Sequence, residues 1–158
     1  MPQQVKPIPD GYSAVTPYLF IQGATKALDF YKQIFGAVER LRIPGPNSTI
    51  GHAEISINGA VIMLADECPS IHARSPHAVG GTPVMIHLYV HDVDAVVSKA
   101  VAAGAKLLDP VQDKFYGDRS GSILDPFGHL WGVATHQEDV SQEELQKRLA
   151  AFQKKGDG

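Results

Sequence analysis

The sequence holds a single cysteine, Cys68, in 158 residues. One thiol rules out an intrachain disulfide and any zinc site built from cysteine pairs, and it suits a reducing, cytoplasmic setting. No apolar run approaches the roughly 20 residues needed to span a membrane. The stretch Met1 to Gly11 has three prolines and no apolar core, so a secretory leader is not expected there. The formal net charge of −3 gives no electrostatic case for nucleic acid or an anionic membrane as partner. Glycine-rich phosphate loops, serine-hydrolase elbows and zinc-type Cys/His spacings are missing too. What remains is ordinary globular material, 44% hydrophobic and 20% charged. That suffices for the core of one domain, or of two half-size modules sharing a core.

Residues 1–12 read as an extended, proline-rich lead-in, and Val15 to Ile21 as a strand that Pro17 assigns to an early or edge position. Ala27, Phe30, Tyr31 and Ile34 recur at helical spacing within Ala24 to Phe35, with Gly36 placed to end the helix. Val38 to Ile43 predicts a second strand. Thr49 to Ile57 alternates, with Ala53, Ile55 and Ile57 on one face and Ile50, His52, Glu54 and Ser56 on the other. Asn58-Gly59 marks a hairpin into the strand Ala60 to Ala65. Residues 66–82 have no period and read as a connecting loop, a linker or a lid.

The pattern then restarts. A strand over Pro83 to Val90 precedes a helix over Val93 to Ala103, capped by Asp92 and ended by Gly104. Leu107-Leu108 and the run Lys114 to His136 supply the remaining strands, the last two hinged at the turn Asp125-Pro126-Phe127-Gly128. A capping box of Ser141 and Glu144 opens a final helix over 141–154, and Lys154 onward reads as a frayed tail. The two helix-ending glycines lie 68 residues apart, so the chain is an internal duplication of a βαβββ unit, 14–65 and 83–136. One unit is too small to bury both faces of its sheet. The expected fold is therefore α+β: paired βαβββ modules forming a curved mixed sheet around a cavity, helices outside. Pairing within one chain or by exchange with a second both satisfy the pattern, and we expect a homodimer.

Two segments carry a resemblance. Ala27-Leu28-Asp29-Phe30-Tyr31-Lys32-Gln33-Ile34-Phe35-Gly36 is similar to the first-helix pattern of the vicinal oxygen chelate superfamily, and Phe115 to Trp131 is similar to its DPxGH hairpin. That superfamily holds glyoxalases, extradiol dioxygenases and fosfomycin- and bleomycin-resistance proteins. The branch that looks closest is the one once called demethylubiquinone-methyltransferase-like, in which Pro17-Tyr18-Leu19, His52-Ala53-Glu54 and Tyr116-Gly117-Asp118-Arg119 also recur. The resemblance is specific for fold and weak for reaction. It puts the family's four metal positions on Thr16, Met63, Met85 and Gly132. None of these is a good ligand for a divalent metal, so it implies a cavity without the family metal or other cofactor.

Alternation places Thr16, Tyr18 and Phe20, His52 and Glu54, and Met85, His87 and Tyr89 toward the cavity. The leading reading is a small-molecule-binding protein whose ligand is partly aromatic or anionic. Tyr18, Phe20, His52, Glu54, His87 and Tyr89 would line the cavity, with Arg119 as counter-charge, since guanidinium binds carboxylate or phosphate in bidentate fashion. Arg119 paired with Asp118 or Asp113 is the plain alternative. The rival function is a lyase/isomerase or dioxygenase-type enzyme using His52, Glu54 and His87 as metal ligands or as a metal-free acid/base set. A partner-binding role for the 66–82 loop is a third. Trp131 reads as core, Cys68 as an incidental loop thiol, and His72, His77, His91, His129 and His136 as solvent-facing.

Overall fold

The computed structural model describes residues 4–156. They divide into two compact units, one ending at Gly81 and the other starting at Thr82. The first contains β1 (Tyr18–Ile21), α1 (Ala24–Phe35), β2 (Val38–Pro44), β3 (Ile50–Ile57) and β4 (Ala60–Asp66), followed by the one-turn α2 (Pro76–Val79). The second contains β5 (Met85–Tyr89), α3 (Val93–Ala102), β6 (Lys106–Asp113), β7 (Asp118–Leu124), β8 (Leu130–His136) and α4 (Gln142–Gly156). Each is a βαβββ unit with a four-stranded mixed sheet, ordered β1-β4-β3-β2 and β5-β8-β7-β6. The crossover helix makes the first pair parallel, and the hairpins make the others antiparallel.

In the first unit the pleat decides which residues meet α1. Leu19 and Ile21, then Ala53, Ile55 and Ile57, then Ile62 and Leu64 are buried, as are Ala27, Leu28, Tyr31 and Ile34 of the helix. Tyr31 stacks on Phe35, ring centroids 5.9 Å apart. Gly36 closes α1 in the left-handed region at φ 66°, as its placement predicts. The start of α1 has no local side-chain cap. Asp66, at the end of β4, replaces it: Oδ1 accepts from the N–H groups of Gly23 (3.1 Å) and Ala24 (3.0 Å), and Oδ2 from Ile50 (2.7 Å). This cap is 42 residues distant from the helix start and carries no local signature.

Residues 66–82 are less open than their lack of period suggests. Cys68 and Ala73 form an isolated bridge. Ser75 is fully buried, donates its hydroxyl to Glu67 at 2.6 Å and caps α2. Cys68 itself is exposed.

In the second unit Asp92 caps α3 through Ala95 N–H (3.1 Å). Val93 N–H reaches Thr135 Oγ1 on β8 (3.0 Å). The turn at 125–128 is built on a buried carboxylate: Asp125 Oδ1 accepts from Phe127 and His129 N–H, and Oδ2 from the indole of Trp131, all at 2.9 Å. Trp131 is fully buried as expected, but His129 is buried as well, contrary to a solvent-facing reading, because Asp125 pulls its backbone inward. α4 runs to Gly156. Residues 157–158 of the expected tail and 1–3 of the lead-in lie outside the described residues. Ser141 accepts Glu144 N–H (3.1 Å), but the Glu144 side chain pairs with Arg148 instead of closing a capping box.

Asp125→Ala removes the acceptor for three buried N–H groups. It should lower unfolding free energy by about 3 kcal/mol, measured by urea denaturation; a loss below about 1 kcal/mol would show that the turn does not depend on this carboxylate.

Candidate functional site

On the first unit's sheet, side chains alternating away from α1 form one connected set. Tyr18 and Phe20 stand next to each other on β1, ring centroids 5.0 Å apart. Tyr18 Oη lies 2.8 Å from His52 Nδ1 on β3. His52 Nε2 lies 3.8 Å from Glu54 Oε2, and Tyr12 donates its hydroxyl to the same oxygen at 3.2 Å. The β3 pleat puts His52 and Glu54 on one face by their spacing of two, and β4 separates them from Tyr18 in the sheet order. A neutral imidazole accepting from Tyr18 at Nδ1 carries its proton on Nε2, the nitrogen facing Glu54. Burial raises the Tyr18 pKa, with the Glu54 charge adding to it; for Tyr12 the hydrogen bond to Glu54 is the larger cause. Both phenols therefore stay protonated near neutral pH and act as hydroxyl groups.

The second unit carries its own set on the face away from α3. The His87 ring meets Tyr89 edge-on at 4.9 Å. Tyr89 donates to Asp118 Oδ2 (3.4 Å), and the other oxygen of this buried carboxylate lies 2.6 Å from His136 Nδ1. His136 Nε2 lies 2.8 Å from Asp139. Two carboxylates on both ring nitrogens favour the doubly protonated imidazolium, and the bonds to Asp139 and then Asp118 raise the His136 pKa. The Asp118 charge in turn raises Tyr89.

A family model described as the Glyoxalase/Bleomycin resistance protein/Dioxygenase superfamily matches residues 14–133. The chain belongs to that superfamily. An uncharacterised protein of Mycobacterium bovis is 42% identical over 148 residues, covering 92% of this chain and 95% of the relative. Among solved structures, TioX from Micromonospora sp. ML1 superposes with TM-score 0.61 at 28% identity, over 82% of this chain and all of that one. The fosfomycin resistance protein FosX from Listeria monocytogenes, complexed with Mn(II) and sulfate, gives TM-score 0.61 at 20% identity over 87% and 97%, a likeness of fold alone.

The residues at the four positions that the resemblance assigns to a metal are poor ligands for a divalent ion. Thr16 donates to Ser13 O at 3.5 Å. Met63 and Met85 offer thioethers. At Gly132 a Cβ would come within 2.9 Å of both Met85 Sδ and His87 Nδ1, so the space a longer ligand would need is already filled. Among the described residues no group of three or more His, Cys, Asp or Glu is arranged to hold a metal ion.

The structure thus joins Tyr18, Phe20, His52 and Glu54 in the first unit, and His87 and Tyr89 in the second. Arg119 departs from its expected role. It points to the α3 side of β7, where Nε and Nη2 form a bidentate pair with Asp94 (2.7 and 2.9 Å) and Nη1 reaches Asp113 (3.2 Å). β6 also comes close on this face: a Cβ at Gly121 would lie 2.8 Å from Asp109 O. An arginine holding two aspartates has little charge left for a ligand anion. Sequence reasoning also missed Tyr12, Asp118 and His136. The last two had a signal: counting outward from the 125–128 turn pairs Leu124 with Leu130 and, six residues on, Asp118 with His136. Tyr12 lies in an aperiodic lead-in and had none.

Since the folded pKa of His136 is raised, its contribution is complete below the unfolded value of about 6.5 and is lost as pH rises through the folded one. Imidazole NMR should show His136 titrating above about 6.5, with amide protection of 137–140 falling over the same range; titration at or below that value would contradict the double pairing.

Proposed function

We propose that the chain binds a small, partly aromatic molecule through the sheet faces turned away from the helices, without the metal used by other members of its superfamily. The observation that carries this is the Tyr18–His52–Glu54 chain lying beside the Phe20 ring. It combines an apolar platform with a few fixed hydrogen-bonding groups, as ligand sites do. His87 and Tyr89 supply a comparable ring pair in the second unit. The anionic ligand of the sequence reading loses its support, because Arg119 is committed to Asp94 and Asp113. We assign the protein to the cytoplasm, in keeping with its lone exposed thiol, and propose a homodimer, for which the exposed apolar side chains of edge strand β2, Val38, Leu41 and Ile43, offer a surface.

A second reading is favoured by one feature. A histidine held between a phenol and a buried carboxylate is also the arrangement of an acid/base pair, so a lyase or isomerase acting on the bound molecule is compatible with the site. The two separate on one variant. A site that only binds returns every bound compound unaltered, whereas a site where His52 shuttles a proton converts one of them and loses that turnover in Glu54→Gln.

Titrating an aromatic fragment library into labelled protein should perturb amides of 18–20, 52–56 and 61–65. His52→Ala should weaken those fragments by about tenfold, the equivalent of one lost hydrogen bond of about 1.4 kcal/mol. Fragments that bind only elsewhere, or that ignore His52→Ala, would refute the reading.

A further inference from the structure

Glu54 differs from every other buried carboxylate in the described chain. Asp125 receives three N–H groups, and Asp118 lies against the His136 ring and the Tyr89 hydroxyl. Glu54 is 4% exposed and has only the neutral Tyr12 hydroxyl within hydrogen-bonding distance, with His52 Nε2 further off at 3.8 Å. Among the described residues no lysine or arginine lies within ion-pair distance of it. The Arg40 guanidinium sits over the Tyr12 ring, 4.9 Å from its centroid. Burying a carboxylate without a cation is costly, so such a group is retained where a partner arrives.

The two oxygens are not equivalent. Both contacts go to Oε2. Oε1 has none, yet no fully buried side-chain oxygen among the described residues lacks a partner. Oε1 is therefore the edge of the carboxylate that meets accessible space. Tyr18, 41% exposed, stands with Phe20 on the same sheet face and presents ring surface to whatever approaches. Aromatic faces and a carboxylate edge attract the same kind of group, because both carry negative potential.

We propose that Glu54 is the counter-charge for a protonated amine, and that the first unit's site takes an arylalkylammonium compound: ammonium on Glu54 Oε1, aromatic body over Tyr18 and Phe20. This rests on the reading that the sheet face binds a ligand, and it reverses the charge expected of that ligand. Tyr12 occupies Oε2 as a neutral donor and leaves Oε1 for the amine.

The test compares two probes of matched size and opposite charge, 2-phenylethylammonium and 3-phenylpropionate, by amide shift titration of the full chain. The ammonium should perturb residues 18–20 and 52–56, bind about tenfold more tightly than the carboxylate, and lose about tenfold in Glu54→Gln, since charge-assisted bonds are the stronger class. Equal or tighter binding of the carboxylate at the same amides overturns this inference and leaves the proposed function standing. Silence of those amides to both probes overturns both. Should Glu54→Gln not fold, Tyr12→Phe replaces it: stripping the neutral donor from Oε2 should tighten ammonium binding, and unchanged or weaker binding counts against the proposal.

Discussion

Each four-stranded sheet is packed by a single crossover helix, and that one-sided burial constrains everything else in the molecule. A helix can cover only one face of a sheet, so the pleat sorts every strand residue into two classes. Ile55 and Ile57 go under α1, while His52 and Glu54, just before them on the strand, go to the other side. The polar and aromatic residues that could do chemistry are therefore concentrated on one face by geometry. A shift of one residue in β3 would drive His52 and Glu54 under α1 and expose the isoleucines, which is why this register is strongly specified.

The same constraint explains why two charged residues near the hairpin have opposite fates. Arg119 and Asp118 are neighbours on β7, so the pleat sends them to opposite faces. Arg119 falls on the helix side, where Asp94 in the first turn of α3 meets it with both oxygens. Asp118 falls on the free side and gathers Tyr89 and His136. The arginine is consumed in holding helix to sheet, and the acidic group is the one that faces the site.

Electrostatically the two units are built differently. In the second, Asp118 is matched by His136, whose ring lies between two carboxylates that favour its charged form. In the first, Glu54 has a hydroxyl and a more distant imidazole. The duplication repeated the scaffold, and the charge arrangement on each sheet diverged. Beside Gly132 the space on the second sheet is taken by Met85 and His87.

The βαβββ repeat, the helix-ending Gly36, the Asp92 cap and the inward Trp131 were legible because each rests on a local rule: a period, a cap or a turn acting within a few residues. The faces of β1, β3 and β5 were legible for the same reason, so Tyr18, Phe20, His52, Glu54, His87 and Tyr89 could be grouped by parity. Partnership could not be read this way. Asp66 capping a helix 42 residues away, Tyr12 reaching Glu54, and Asp94 claiming Arg119 are contacts between segments brought together only by chain crossing. The sequence by itself determined the scaffold and which side chains share a face; tertiary structure alone decided which charges are already neutralised, because that depends on distances between segments that local patterns do not encode.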